Sequence, residues 1–283
     1  MGKVYLIGAG PGAADLITVR GAKLLSRAQV VLHDALIEPA MLDYAPDARK
    51  IAVGKRCGQR STAQHFINKQ IVDAAREHDV VVRLKGGDPM LFGRADEEMR
   101  ALEAAGIEYE VVPGITAALA SAATLKRSLT LRGVSRSVAL ATYSRAPDSD
   151  EIREQASADS LVFYMGRDSA PEIALQLIDA GRPGSTPVAI VEACTTERER
   201  SLTLTLEAMA RGDAQDWLDA SQPSLLMIGE AFAERSLGSS ARLRMRRRPC
   251  RLRHEKDARA ASTREELRLL HFTQTNRLRL AKR

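Results

Sequence analysis

Arg83-Leu-Lys-Gly-Gly-Asp-Pro-Met-Leu-Phe-Gly-Arg94 decides how this 283-residue chain is read. An apolar, β-branched run, Val80 to Val82, precedes it and reads as a buried strand. Two glycines and an Asp-Pro then end that strand abruptly. Gly86 and Gly87 leave the backbone bare, so a ligand can lie directly against the main chain. Asp88 adds one fixed acceptor, and Pro89 locks the turn. Open α/β sheets build small-molecule sites from such loops at the carboxyl ends of their strands. A tight strand-to-helix turn without a ligand would use the same residues, so the neighbouring stretches must decide.

Three further strand ends repeat the arrangement. Lys3-Val-Tyr-Leu-Ile7 runs into Gly8-Ala-Gly-Pro-Gly12, where a Rossmann fingerprint would have its third glycine one position later. Ile51-Ala-Val-Gly-Lys-Arg56 is a short strand closed by glycine and two cations. Tyr109-Glu-Val-Val-Pro-Gly-Ile-Thr-Ala-Ala118 passes through Pro113-Gly114 into small residues that open a helix, whose N–H groups can face a ligand. A second strand, 29–32, ends in His33-Asp34, an acid that a dehydrogenase would set against a ribose hydroxyl. That nicotinamide reading leaves Gly86 to Asp88 and Thr116 without a task and lacks the third glycine.

Strand and helix patterns alternate throughout, which implies an α/β chain with a mostly parallel sheet. Strands are expected near 3–7, 29–32, 50–53, 79–84, 108–112, 136–142, 160–164, 186–192, 201–206 and 224–229. Helices are expected near 18–27, 63–77, 94–105 and 115–125, and from Pro171 to Ala180, with Pro at its start and Gly181 as its stop. The length suits two domains of ~150 residues with a boundary near 126–135.

Charge separates the chain further. Residues 235–283 hold 16 Lys/Arg against 4 Asp/Glu, a balance of +12, whereas residues 1–234 balance at −6. The pI of about 9.4 therefore belongs to the tail. That tail reads as a disordered, solvated extension, with a nucleic-acid or anionic-surface contact through phosphate neutralisation as the alternative. Cys57, Cys194 and Cys250 show neither metal spacing nor a pairing pattern, and five scattered histidines make no ligand set, so no metal is expected. With the first strand beginning at Lys3 and no long apolar run, a soluble cytoplasmic protein without membrane contact is expected.

In order along the chain stand Gly8-Ala-Gly-Pro-Gly12, Val53-Gly-Lys-Arg56, Leu84-Lys-Gly-Gly-Asp-Pro89, Phe92-Gly-Arg94, Val112-Pro-Gly-Ile-Thr-Ala117, Phe163-Tyr-Met-Gly166 and Ala189-Ile-Val-Glu192. Together they closely resemble the uroporphyrinogen-III C-methyltransferases of the tetrapyrrole methylase superfamily, over roughly residues 2–232. The resemblance implies two α/β domains, 1–128 and 129–234, with the cofactor and substrate cleft between them and the basic tail 235–283 outside it. It implies S-adenosylmethionine as methyl donor, uroporphyrinogen III as acceptor, precorrin-2 and S-adenosylhomocysteine as products, and a homodimer. A precorrin-methylating sibling, a methylase acting on RNA, or a non-catalytic homologue remain as rival readings.

Residue by residue, the resemblance carries cofactor contacts to Pro11, Gly86, Gly87, Asp88, Leu91, Thr116, Ala117 and Met165, and a backbone contact to Cys194. S-adenosylmethionine bears no phosphate, which accounts for a stiff Gly-Pro-Gly loop in place of a phosphate-cradling helix start. A Met ending a strand is commonly core packing, so Met165 rests on its place in Phe-Tyr-Met-Gly. Asp34 becomes the candidate base and Lys55 the candidate acid; an ion pair at the sheet edge is the plainer alternative. Arg56, Arg94 and Arg132 become candidates for gripping the acceptor's carboxylates bidentately.

Several positions depart from the family pattern. Ala95-Asp96-Glu97-Glu98 replaces Gly-Gly-Glu-Glu, putting residues that tolerate left-handed backbone poorly where glycines stand. Lys126-Arg-Ser-Leu-Thr-Leu-Arg132 replaces Gly-Ile-Pro-Leu-Thr-His-Arg, Thr142-Tyr-Ser144 replaces Thr-Gly-His, and Glu192-Ala-Cys-Thr195 replaces Glu-Asn-Gly-Thr. The cofactor loops of the first domain are intact, while the segment facing the substrate is altered.

Overall fold

The computed structural model describes residues 1–53, 64–143 and 156–234. In its first half β1 (Lys3–Gly8), β2 (Val30–His33), β3 (Arg49–Ala52), β4 (Val80–Lys85) and β5 (Tyr109–Val112) form one sheet, ordered β3-β2-β4-β1-β5. Every pairing in it is parallel. Parallel neighbours need crossovers, which include α1 (Val19–Leu25), α2 (Gln64–Glu77) and α3 (Ala95–Ala104).

Alternation along each strand sorts the side chains between two cores. Val4 and Leu6 pack with Val30, Leu32, Ile71 and Leu102 beneath α2 and α3. Ile7, Val31, Val82 and Leu84 pack with Leu25 and Met41 on the opposite face. On β4 the same rule places Arg83 and Lys85 on the side of Val81, and both are buried at 2% exposure. In register, Gly8 lies beside Lys85, Ile7 beside Val112 and His33 beside Leu84. Four strands therefore end level at one edge.

The second sheet contains β6 (Val138–Thr142), β7 (Ser160–Tyr164), β8 (Pro187–Glu192), β9 (Arg200–Thr205) and β10 (Ser224–Ile228), ordered β6-β7-β10-β8-β9. Only β6 and β7 run parallel; the other three pairings are antiparallel. This corrects the mostly parallel arrangement expected from alternation. For β8 and β9 the reason is connection length: residues 193–199 alone join them, and a parallel crossover needs about a dozen or more. Leu206, expected as a strand end, instead starts helix α6 (Leu206–Ala210), because the Thr205 side chain accepts from the Ala208 N–H as an N-cap.

Helix α4 (Ala117–Leu125) follows the first sheet but closes the second. Its Ala118, Ala120 and Ala122 share a core with Val162, Ala189, Val191, Leu225 and Met227. Helix α5 (Ala170–Asp179) and α6 cover the other face through Ile173, Leu177 and Met209.

Two helix ends use the same motif with different residues. After α5, Gly181 sits at φ +96° and the Arg182 N–H returns to the Leu177 carbonyl at 3.0 Å. After α4, Lys126 takes that place at φ +55°, with the Arg127 N–H on the Ala122 carbonyl at 2.9 Å. Left-handed backbone is costly for a side chain and free for glycine. The strain expected at Ala95 and Asp96 is absent: both are in the first turn of α3, and Arg94 just before them takes φ +55°. Lys126→Gly is expected to raise unfolding free energy by about 1 kcal/mol in urea titration, while Lys126→Ala leaves it unchanged.

Candidate active site

The level edge of the first sheet gathers the glycine loops. Gly10 and Gly87 exchange two backbone hydrogen bonds, Gly10 N–H to the Gly87 carbonyl at 3.1 Å and Gly87 N–H to the Gly10 carbonyl at 2.7 Å. The space beside Gly86 where a side chain would stand is empty within 4 Å, so its main chain is open to a ligand. Asp88 is more committed than the sequence suggested. Its two carboxylate oxygens accept the Met90 and Gly114 N–H groups, each at 2.8 Å, and tie the glycine loop to the approach of α4. Leu91 is half-buried in the same turn, its N–H 3.3 Å from the Asp88 carbonyl.

Thr116 is the N-cap of α4, but its side chain does not cap the helix. Tyr164, from the end of β7, does so instead. Its hydroxyl accepts the Ala118 N–H at 3.1 Å and lies 2.6 Å from the Thr116 hydroxyl. The Phe92 ring stands 5.1 Å from the Tyr164 ring, centroid to centroid, inclined at 56°.

Pro11, Ala117, Met165 and Cys194 line one cavity of ≈ 390 Å³, with Leu36, Tyr164, Val191 and Leu225 among its other walls. That size and apolar character lie in the range of small-molecule sites, ~300–1,000 Å³. Met165 is 71% exposed at φ +55°, which removes the core-packing reading. Cys194 is buried, and burial pushes its thiol above the ordinary range, so it is a neutral wall.

Asp34 follows β2 next to this edge. Its Oδ1 lies 2.5 Å from Arg83 Nη2, and its Oδ2 accepts the Gly86 N–H at 3.4 Å. Behind it, Arg83 Nε donates to Glu98 Oε1 at 3.0 Å and Lys85 Nζ to Glu98 Oε2 at 2.9 Å. Asp34 is 31% exposed; the other three are almost fully buried. Burial opposes the Arg83 charge, but Asp34 and Glu98 outweigh it and raise its pKa. For Lys85, burial and the Arg83 guanidinium outweigh Glu98 and lower it. None of Arg83, Lys85, Glu98 or Tyr164 was singled out from sequence. The first three had a signal: two cations alternating on a buried strand require a buried anion.

The remaining candidates lie elsewhere. Lys55 and Arg56 are outside the described residues. The Arg94 guanidinium is held bidentately by Glu97 at 2.6 and 2.8 Å, and Arg132 is exposed on the turn after α4. Neither arginine lines the cavity.

Residues 3–210 match the family of Tetrapyrrole (Corrin/Porphyrin) Methylases. The chain belongs to the tetrapyrrole methylases. This tetrapyrrole methylase is 44% identical over 236 residues to siroheme synthase 1 of Cronobacter sakazakii, covering 81% of this chain and 49% of that protein. It spans about half the length of the curated relatives it matches. A crystal structure of uroporphyrin-III C-methyl transferase from Thermus thermophilus complexed with S-adenyl homocysteine superposes with a TM-score of 0.71 at 37% identity, over 81% of this chain and 93% of that one. A cobalt precorrin-4 methyltransferase superposes with a TM-score of 0.72 at 29% identity, over 82% and 96%.

The buried charges make the site's foundation testable. Glu98→Gln leaves Arg83 and Lys85 without their shared anion and is expected to cost about 3–5 kcal/mol in urea unfolding. Adding Lys85→Met should recover part of that loss, because one uncompensated cation is removed.

Proposed function

We propose that this tetrapyrrole methylase transfers methyl groups from S-adenosylmethionine to uroporphyrinogen III at two neighbouring rings. The products are precorrin-2 and S-adenosylhomocysteine, for siroheme or cobalamin synthesis. The observation that carries the reading is the cavity lined by Pro11, Ala117, Met165 and Cys194; Gly10, next to Pro11, is paired with Gly87, which follows the open backbone of Gly86. Its apolar walls suit an adenine ring, and bare main chain suits the polar edge of a ligand without phosphate. Bound there, S-adenosylmethionine supplies an electrophilic methyl group on a sulfonium.

The chain's own residues then have three duties. The glycine loops and the Tyr164-capped end of α4 orient the donor against the acceptor, a proximity effect. Asp34, aligned by Arg83 and the Gly86 N–H, takes the proton that the methylated ring must lose. Lys55 is the partner acid. Arg56, Arg94 and Arg132 meet the acceptor's carboxylates, which for Arg94 means exchanging Glu97 for a substrate carboxylate.

The same reading takes 1–128 and 129–234 as the two halves of the cleft, a homodimer as the assembly and the cytoplasm as the compartment. Among the described residues no helix is long and apolar enough to cross a membrane. A precorrin acceptor is the second reading, and the higher identity to the uroporphyrin-III enzyme than to the precorrin-4 enzyme, 37% against 29%, favours the first.

Anaerobic incubation with S-adenosylmethionine and uroporphyrinogen III, read by mass spectrometry, should add two methyl groups to the macrocycle. S-adenosylhomocysteine binding without methyl addition would point to another acceptor. Asp34→Ala should abolish turnover while leaving S-adenosylhomocysteine affinity within about twofold of the parent, measured by calorimetry. Equal loss of both would remove Asp34 from the proton-transfer role.

A further inference from the structure

The loop 193–199 between β8 and β9 holds two left-handed residues that are not glycine, Ala193 at φ +47° and Thr195 at φ +65°. A β-branched residue there is an outlier, and such strain persists only where its surroundings over-determine it. They do so here. The Thr195 N–H donates to Glu199 Oε2 at 2.6 Å, and the same oxygen accepts the Thr124 hydroxyl at 3.1 Å. The Thr196 hydroxyl donates to the Ala193 carbonyl at 2.8 Å. So fixed, Thr195 Oγ1 accepts the Ala13 N–H at 2.9 Å, a contact between residues 182 apart in sequence. Gly12 lets the two loops meet, because a Cβ there would stand 2.7 Å from the Cys194 carbonyl and 2.9 Å from Thr195 Oγ1. Pro11 and Cys194, each next to this seam, both line the cavity.

We propose that Thr195 is a positioning residue: its hydroxyl latches the Gly10-Pro11-Gly12 loop of the first sheet to the second and so sets the width of the methyl-donor cavity. The proposal rests on the reading that this cavity holds S-adenosylmethionine. In that role Thr195 touches neither methyl nor acceptor. Its loss acts on donor affinity and on KM for the donor, and leaves kcat in place. The exposed Arg198–Glu38 pair at 3.2 Å crosses the same seam, but a solvated ion pair contributes too little to hold it alone.

The test is calorimetric binding of S-adenosylhomocysteine to the full chain. Thr195→Val keeps the branched shape without the acceptor oxygen and should weaken binding about tenfold, the equivalent of roughly one hydrogen bond. Thr195→Ser should rescue it. Thr195→Ala removes the same oxygen and should weaken binding by at least as much. Parent-like affinity in both Thr195→Val and Thr195→Ala, or a loss in Thr195→Ser equal to that in Thr195→Val, overturns the latch. If Thr195→Val fails to fold, Thr195→Ala against Thr195→Ser decides the question. A parent chain that binds no S-adenosylhomocysteine overturns the cofactor reading of the cavity instead, a result no variant can imitate.

Discussion

Three backbones meet where β1, β4 and β5 end, and nothing larger than a hydrogen atom fits between them. A Cβ on Gly114 would stand 2.2 Å from the Gly87 carbonyl, and one on Gly8 would stand 2.6 Å from the Gly114 Cα. The paired amides of Gly10 and Gly87, and the two-handed grip of Asp88 on Met90 and Gly114, fasten the same three loops. The consequence is a platform whose surface is main chain. Such a surface offers hydrogen-bond donors and acceptors in fixed positions at no side-chain entropy. It suits a ligand recognised by shape and by neutral polar groups. It also explains why Pro11 stands where a phosphate-binding loop would extend toward a third glycine: the platform needs stiffness more than an open helix terminus.

How much of this could be read from the residues follows from what each feature depends on. All ten strands lie within two residues of their expected places, because burial writes itself into local apolar runs. Gly86, Gly87, Asp88 and Pro113-Gly114 were legible because glycine and proline at a strand's end act locally, through the φ they permit and the side chain they omit. Strand direction in the second sheet was not legible, since composition is the same for parallel and antiparallel partners and the short 193–199 connection speaks for β8 and β9 alone. Nor was the placement of α4 against the second sheet, because four alanines pack equally well on either core. Tyr164 capping a helix 46 residues away in sequence is a tertiary fact with no local pattern. The Arg83–Glu98–Lys85 cluster lies between: the cations on a buried strand announce a partner, but only the fold identifies it as Glu98.

That cluster gives the platform an electrostatic underside. Four charges alternate in sign from Asp34 through Arg83 and Glu98 to Lys85, and three of them are removed from water. Desolvation makes such an arrangement a poor source of stability, and replacing it with apolar residues is often neutral or better. Its use is positional. Arg83 is anchored from behind by Glu98, so the guanidinium cannot follow Asp34 outward, and the carboxylate keeps one oxygen toward Gly86.

Backbone strain divides along the same line between stability and position. Six residues other than glycine are left-handed: Phe92, Arg94, Lys126, Met165, Ala193 and Thr195, counted among the described residues. Lys126 ends an alanine helix at the surface and touches no part of the cavity, so its strain lowers stability and serves nothing that a glycine would not serve better. Met165 and the Ala193–Thr195 turn stand on the cavity wall or directly behind it, where relief of strain would move a ligand-facing atom. Departures from a family pattern are therefore not equivalent. One at 126 is a stability defect in an intact architecture, whereas one at 193–195 alters the wall of the cavity, because there the strained backbone itself joins the two sheets.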